Sequence, residues 1–129
     1  MTERLNQPTR QEQAEAILAR KGAKLATRIL GHTARTADDF RDAFTLEHID
    51  LVAAIPTPAS MLALGYTIVG PRDGLYILDD GGTYRVYLQE HGETLFAEAG
   101  LTFDQARSAV IDRILRLNGI PFMPPGSPG

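Results

Sequence analysis

The sequence of 129 residues contains no cysteine and no tryptophan. Without thiols, the chain can form neither a disulfide scaffold nor a thiolate metal site, and it has no cysteine nucleophile. The longest apolar run, Leu51–Pro56, is far shorter than the roughly 20 residues that cross a bilayer. Residues 1–8 have no apolar stretch of the kind that forms a secretory signal. We therefore expect a soluble, cytoplasmic protein that has no contact with a membrane.

The common catalytic and phosphate-binding motifs are also missing. No serine lies in a Gly-x-Ser-x-Gly elbow, and no Gly-Lys-Ser/Thr completes a phosphate loop. His32, His48 and His91 have no histidine partner at metal-ligand spacing. A carboxylate–imidazole site is conceivable where Asp79–Asp80 and Glu90–His91 end neighbouring predicted strands, but turn acids beside a solvent-facing histidine explain the pattern better. We predict no catalytic residue, no metal site and no cofactor.

The composition is that of a globular domain. Apolar residues make up 43% and charged residues 22% of the chain, which argues against wholesale disorder. A chain of this length fits one compact domain and buries enough surface to be stable without a metal or disulfides. We predict a single domain over 1–129, with loose termini at 1–8 and 124–129.

Helical patterns begin near the N-terminus. Thr9 and Glu12 have the spacing of a capping box, and apolar residues follow at helical intervals as far as Leu30. Gly22 leaves open whether this segment is one long helix or two pieces, because glycine costs about 1 kcal/mol in a helix interior. Gly31 fits the C-terminal end of the segment.

Three shorter helices are predicted between residues 36 and 65. The first begins at Thr36, and the third begins at Thr57–Pro58, where a capping hydroxyl precedes a proline. The second is predicted over 46–55, with Thr45 as its cap. Three of its residues are expected to face inward: Ile49, Val52 and Ala53.

From Tyr66 the pattern changes to short strands separated by turns. Four strands are predicted, the last weaker than the others, over 66–70, 75–79, 83–90 and 93–97. Asp80-Gly81-Gly82 is typical of a tight hairpin between two of them. Alternation along the third strand places Tyr84 and Tyr87 on opposite faces, so one of the two is expected to be exposed.

The last predicted element is a helix that begins after a second capping box, Thr102 with Gln105, and ends before Gly119. Three arginines are expected on its outer face: Arg107, Arg113 and Arg116. The predicted fold class is α+β, with N-terminal helices packed against a three-to-four-stranded antiparallel meander that the C-terminal helix closes.

Acidic residues concentrate in two segments, 36–50 and 79–98, although the formal net charge is only −3. Each segment is either an ordinary solvated face or a negative surface for a basic partner. On the second interpretation, eight residues are predicted to bind the partner: Asp79, Asp80, Tyr87, Glu90 and Glu93, with Asp38, Asp42 and Asp50 as a second patch.

A basic stretch occurs in the first helical segment and consists of Arg20, Lys21, Lys24, Arg28 and Arg35. It is either a solvated helix face or a set of phosphate contacts. The isoelectric point of about 5.5 is low, and no aromatic residue is interleaved with these cations. Direct nucleic-acid binding is therefore not expected.

The segment 66–119 combines a few antiparallel strands, the turn Asp80-Gly-Gly-Thr83 and a closing helix that begins Thr102-Phe-Asp-Gln-Ala106. In this acidic, cysteine-free chain, the segment resembles small bacterial immunity proteins of polymorphic toxin systems. The resemblance implies a binding protein that occludes the active site of a toxin, and it carries over no catalytic residue.

We therefore predict a non-enzymatic protein-binding module with one protein partner, a basic toxin domain. Two alternatives stay open at this point. A small enzyme or ligand binder would need His48 or His91 to converge with acids in a cleft between sheet and helices. A structural subunit of a larger assembly would associate with itself in solution.

Overall fold

The structure of the protein is a computed structural model that describes residues 8–121 and 124–126. The helices in these ranges are α1 (Arg10–Leu18), α2 (Gly22–Leu30), α3 (Ala37–Ala43), α4 (His48–Ala53), α5 (Pro58–Leu62) and α6 (Phe103–Leu117). The strands are β1 (Gly74–Asp79), β2 (Tyr84–Glu90) and β3 (Glu93–Leu101). They form one antiparallel sheet in the order β1-β2-β3, so the predicted α+β class is confirmed. In the described part of the chain, every helix is too short or too polar to cross a bilayer.

Internal contacts divide the chain into two compact units. The first unit contains α1 to α4 together with the chain from Leu115 onward, and the second runs from Ile55 to Ile114 with α5, the sheet and most of α6. A division by contacts does not test whether either unit folds alone, so the single domain stays a prediction.

The first unit begins with the predicted capping box. The backbone N–H of Glu12 donates to the Thr9 hydroxyl, and the Glu12 carboxylate accepts from the backbone N–H of Thr9. Of the two alternatives for residues 10–30, the broken helix is correct. Asn118 explains the position of the break, because its side chain accepts from Gly22 N–H at 2.7 Å and donates to the carbonyl of Ile17 at 2.9 Å.

The helices predicted for α3 and α5 are confirmed, and so is the predicted cap of α5 at Thr57. Thr36, where α3 was expected to start, is the residue that caps it. The prediction for α4 is wrong at both ends, because the helix begins at His48 rather than at residue 46 and ends at Ala53. Gln13 explains the late start. Its buried amide accepts from the backbone N–H groups of Thr45 and Leu46 and donates to the Thr45 hydroxyl, which holds this segment outside the helix.

The shorter α4 also changes which residues face the core. His48 and Leu51 are buried, whereas Ile49, expected to face inward, is 58% exposed, Ala53 is exposed and Val52 is half-buried. The tail, expected to be loose from residue 124, contacts this helix, since Pro124 is buried and the carbonyl of Pro125 accepts from His48 N–H at 2.8 Å. The expected loose residues 1–7 and 127–129 lie outside the described residues.

In the second unit the sheet has three strands, and the predicted strand over 66–70 is wrong. Of that segment, only Tyr66 pairs with the sheet, through an isolated parallel bridge to Tyr76. β3 is longer than predicted and contains two register shifts against β2, each of which adds one residue to β3. Such bulges bend an edge strand and interrupt its pairing.

The predicted C-terminal helix is confirmed as α6, with hydrogen bonds between Thr102 and Gln105 at its start. The expectation that Arg113 lies on the outer face is wrong, because its side chain is only 8% exposed. Arg113 donates two hydrogen bonds to the carbonyl of Phe96 and pairs with Glu98 at 2.7 Å. Phe96 adopts a left-handed conformation (φ 53°) at the first bulge of β3, so Arg113 binds an irregular part of that strand. The helical pattern of α6 does not predict this contact.

Candidate protein-binding surface

The structure separates the predicted acidic residues of the sheet into two groups. The register pairs Asp79 with Tyr84 and Gly74 with Gln89, so Asp79 and Glu90 lie at opposite ends of the β1–β2 hairpin. Six residue steps of β2, about 20 Å, separate the two ends. The suggested convergence of Asp79–Asp80 with Glu90–His91 is therefore wrong.

The acidic residues at the Asp79 end already have hydrogen-bond partners within the hairpin. Arg85 donates to both carboxylate oxygens of Asp80, at 2.8 and 3.2 Å, and this hydrogen bonding raises the pKa of Arg85. Asp79 accepts from the backbone N–H of Gly81 inside the turn. These two carboxylates therefore stabilise the turn, and their role in partner binding stays a prediction.

The expectation that either Tyr84 or Tyr87 is exposed is wrong, because both are buried and Tyr87 is only 9% exposed. The ring of Tyr87 stacks on that of Tyr76 at 4.9 Å between centroids, and Tyr66 covers Tyr76 at 5.2 Å. Burial raises the pKa of Tyr87. Alternation predicts which side of the strand a residue lies on, but it does not predict that residues 66–73 fold over the second face.

These residues, 66–73, form a loop that two side chains of the sheet hold in place. The hydroxyl of Tyr76 lies 2.9 Å from the carbonyl oxygen of Gly70 and 2.7 Å from that of Arg72, and it shares its one proton between them. The side-chain amide of Gln89 donates to the same two carbonyls at 3.1 and 3.0 Å. The loop conformation is therefore fixed by donors that are themselves buried in the sheet.

A further contact joins this loop to the turn between β2 and β3. The carboxylate of Asp73 accepts from the backbone N–H groups of His91 and Gly92, at 3.0 and 3.4 Å. The loop and the turn therefore lie together at one end of the sheet.

Two β-branched residues of the loop are exposed although their neighbours are anchored. Ile68 is 81% exposed and Val69 is 65% exposed. Glu90 and Glu93 are exposed in the adjoining turn, where the register pairs them directly across the hairpin. Among the described residues neither carboxylate has a hydrogen-bond or ion-pair partner. We call Tyr66, Ile68, Val69, Glu90 and Glu93 the loop-end surface.

The two glutamates of this surface are predicted from the sequence, but its apolar residues are not. Their β-branched side chains and the adjacent tyrosine favoured a strand. The Gly70-Pro71 pair directly after them is a loop signal, since proline cannot donate to a strand ladder, and it argued against that strand.

The predicted second acidic patch belongs to the first unit. Asp38 pairs with Arg41 at 3.3 Å, and both side chains are exposed. Asp50 accepts from Arg10 at 2.8 Å and from Glu47 N–H, and these bonds lower the pKa of Asp50. Asp50 therefore caps α4, whereas Asp42, exposed on α3, has no partner in the described part of the chain.

The two histidines of the enzyme alternative have unlike surroundings. His48 is buried in the first unit, and His91 is exposed in a turn of the second. Within residues 8–121 and 124–126, no cluster of three or more His, Asp or Glu side chains is arranged to hold a metal ion.

Comparisons with protein-family models, with curated proteins and with solved structures found no match for this chain. The likeness of residues 66–119 to immunity proteins therefore stays a prediction.

Proposed function

We propose that this protein is a non-enzymatic, cytoplasmic binding module that docks one basic protein partner on its loop-end surface. The observation that carries the proposal is the exposure of Ile68 and Val69 on a loop fixed by four hydrogen bonds to two carbonyls. Protein interfaces commonly have an apolar centre inside a polar rim. A loop that is already ordered loses little conformational entropy when it binds.

The charge of the surface favours a basic partner. Glu90 and Glu93 face each other across the hairpin, and like charges at such a pair destabilise a sheet by about 0.2–1 kcal/mol. Lysine or arginine from a partner would relieve this repulsion and speed association, so the association rate should fall as salt is raised.

A basic toxin domain is the partner class that we propose, on the resemblance of residues 66–119. An enzyme that acts on an anionic substrate such as nucleic acid has a basic cleft. An acidic surface with an apolar centre is complementary to such a cleft and would occlude it.

The experiment is an affinity capture of tagged protein from native lysate at low and high salt, with quantitative identification of the bound proteins. Glu90→Gln/Glu93→Gln removes the charge of the loop-end surface, and Asp38→Asn/Asp42→Asn removes the same charge from the other unit. We expect one stoichiometric basic partner, whose binding is weakened by high salt and by the first variant. Equal weakening by both variants would assign binding to the overall charge or to the second patch.

The inhibitor role has its own readout. The purified partner should be an enzyme whose activity falls to zero near one equivalent of this protein. A captured partner that keeps full activity when saturated would contradict inhibition while leaving the binding module intact.

A further inference from the structure

A positively charged cavity of about 550 Å³ lies along α2 in the first unit, away from every residue of the loop-end surface in sequence. The described residues that line it are Ala16, Lys21, Lys24, Leu25, Thr27 and Arg28. Its volume falls within the range of about 300–1,000 Å³ that is typical of small-molecule sites. None of these lining residues is acidic.

The three cations of the cavity are not neutralised. In the described part of the chain, no carboxylate lies within ion-pair distance of Lys21, Lys24 or Arg28. Lys24 lies three residues from Lys21 and four from Arg28, spacings at which like charges on a helix each cost about 0.2–0.5 kcal/mol. Among the described residues of this acidic chain, three cations without an acidic partner therefore follow one stripe, from the N-cap of α2 along the helix.

The turn between α1 and α2 fixes the first of these cations. Arg20 adopts a left-handed conformation (φ 64°), and the N–H groups of Arg20 and Lys21 donate to the carbonyls of Ile17 and Ala16 at 3.0 and 2.8 Å. This is the double hydrogen bond of a Schellman turn, which usually has glycine where Arg20 stands. The backbone of Lys21 is thereby tied to the end of α1, beside Ala16 in the wall of the cavity.

The spacing of the cations limits the shape of a ligand. A helix rises 1.5 Å per residue, so Lys21 and Arg28 are about 10 Å apart along the axis of α2. A single phosphate is too small to contact all three side chains, whereas a chain of phosphates can follow the stripe. Ala16 and Leu25 supply an apolar wall, and none of the described lining residues is aromatic, so these residues offer no platform on which a base would stack.

We infer that this cavity binds a small, elongated polyanion through an oligophosphate chain. Lys21, Lys24 and Arg28 hold successive phosphates, and the hydroxyl of Thr27, which already accepts from Ala34 N–H at 3.1 Å, has its proton available as a donor. The inference is independent of the proposed protein partner, because it concerns other residues in the other unit.

The test is calorimetric titration of the full chain with inorganic tripolyphosphate at near-physiological salt. Lys24→Gln and Arg28→Gln each remove one cation from the cavity, and Arg35→Gln removes one from the same unit outside it. We expect each cavity variant to weaken affinity by at least about tenfold, since charge-assisted hydrogen bonds are lost. Lys24→Arg should bind within about threefold of the wild type, because it keeps the charge.

Two results would overturn the inference. One is the absence of binding to the wild type at millimolar tripolyphosphate. The other is equal weakening by Arg35→Gln, which would indicate a diffuse electrostatic effect. Circular dichroism of each variant checks that the helices persist, and all three substituted side chains are exposed.

Further titrations identify the source of the phosphates. Adenosine triphosphate should bind about as tightly as tripolyphosphate, because the base finds no stacking partner. Tighter binding of adenosine triphosphate would still support the oligophosphate site and would indicate that the ligand is a nucleotide. A single-stranded oligonucleotide whose affinity rises with its length would instead overturn the small-ligand assignment in favour of nucleic acid.

Discussion

Tyr76 and Gln89, on neighbouring strands, donate hydrogen bonds to the same two backbone carbonyls, those of Gly70 and Arg72. These two side chains hold residues 66–73 in one loop conformation. This explains how Ile68 and Val69 can be both exposed and ordered.

Tyr76→Phe removes the hydroxyl and keeps the ring that stacks on Tyr87. We expect the free energy of unfolding to fall by about 1–2 kcal/mol and amide hydrogen exchange in residues 66–73 to quicken, because the two carbonyls then depend on Gln89 alone. Tyr84→Phe is the matched control on β2. Unchanged exchange in the loop of the Tyr76 variant would show that the hydroxyl does not hold it.

Asn118→Ala should destabilise the first unit. The side chain joins Gly22 N–H to the carbonyl of Ile17, and its loss leaves both buried backbone groups without this partner. We expect a loss of about 1–3 kcal/mol in urea unfolding, because Gly22 N–H is left buried without an acceptor, whereas the carbonyl of Ile17 still accepts from Arg20 N–H. If the hydrogen bond to Gly22 dominates, Asn118→Asp, which keeps the acceptor, should lose less unfolding free energy than Asn118→Ala. A loss below about 0.5 kcal/mol in the alanine variant would contradict the account.

Gly22→Ala tests the same contact from the other side. A Cβ atom at residue 22 would lie 2.7 Å from the Asn118 side-chain oxygen and 3.0 Å from Ile17 Cγ1. We expect destabilisation by about 1–3 kcal/mol even though alanine is the better helix former, because the added atom overpacks a filled site. Stabilisation in thermal unfolding would show that the glycine serves only to break the helix.

The stability of α3 should depend on pH through Asp39. The backbone N–H groups of Arg35 and Thr36 donate to its carboxylate and lower its pKa below 3.8. A carboxyl group with a lowered pKa in the folded state contributes stability above its unfolded pKa and loses it as the pH falls through the folded value. Asp39→Asn should therefore lower unfolding free energy at pH 7, and the difference from wild type should narrow below pH 3.8.

Urea unfolding at a series of pH values measures this dependence. Asp42→Asn is the control, since Asp42 is exposed on the same helix and has no hydrogen-bond partner in the described part of the chain. The same pH dependence in both variants would remove the role assigned to the Asp39 cap.

The sequence predicts those features that depend on residues close together in the chain. The capping boxes at Thr9 and Thr102 each use a partner three residues away. The β1–β2 hairpin follows from alternation and a Gly-Gly turn in the same way. For this reason the starts of α1 and α6 and the antiparallel sheet were correctly predicted.

Features set by distant residues were not predicted. Gly22 and Asn118 are 96 residues apart, and Gln13 reaches Thr45 across 32 residues. The burial of Tyr87 depends on a loop that local propensity assigns to a strand. The candidate surface was half predicted for the same reason: the charge of Glu90 and Glu93 is visible in the sequence, but the exposure of Ile68 is a property of the fold.

The most direct test of the binding surface compares two isoleucine–valine pairs, one in each unit, in one affinity-capture experiment. Ile68→Ser/Val69→Ser changes the loop-end surface, and Ile49→Ser with Val52→Ser changes α4 in the other unit, where Ile49 is 58% exposed. The account predicts that wild type and the α4 variant retain one basic partner, whereas the loop variant loses it while keeping its unfolding free energy within about 0.5 kcal/mol. Equal recovery of the partner by the loop variant and the wild type would contradict the account.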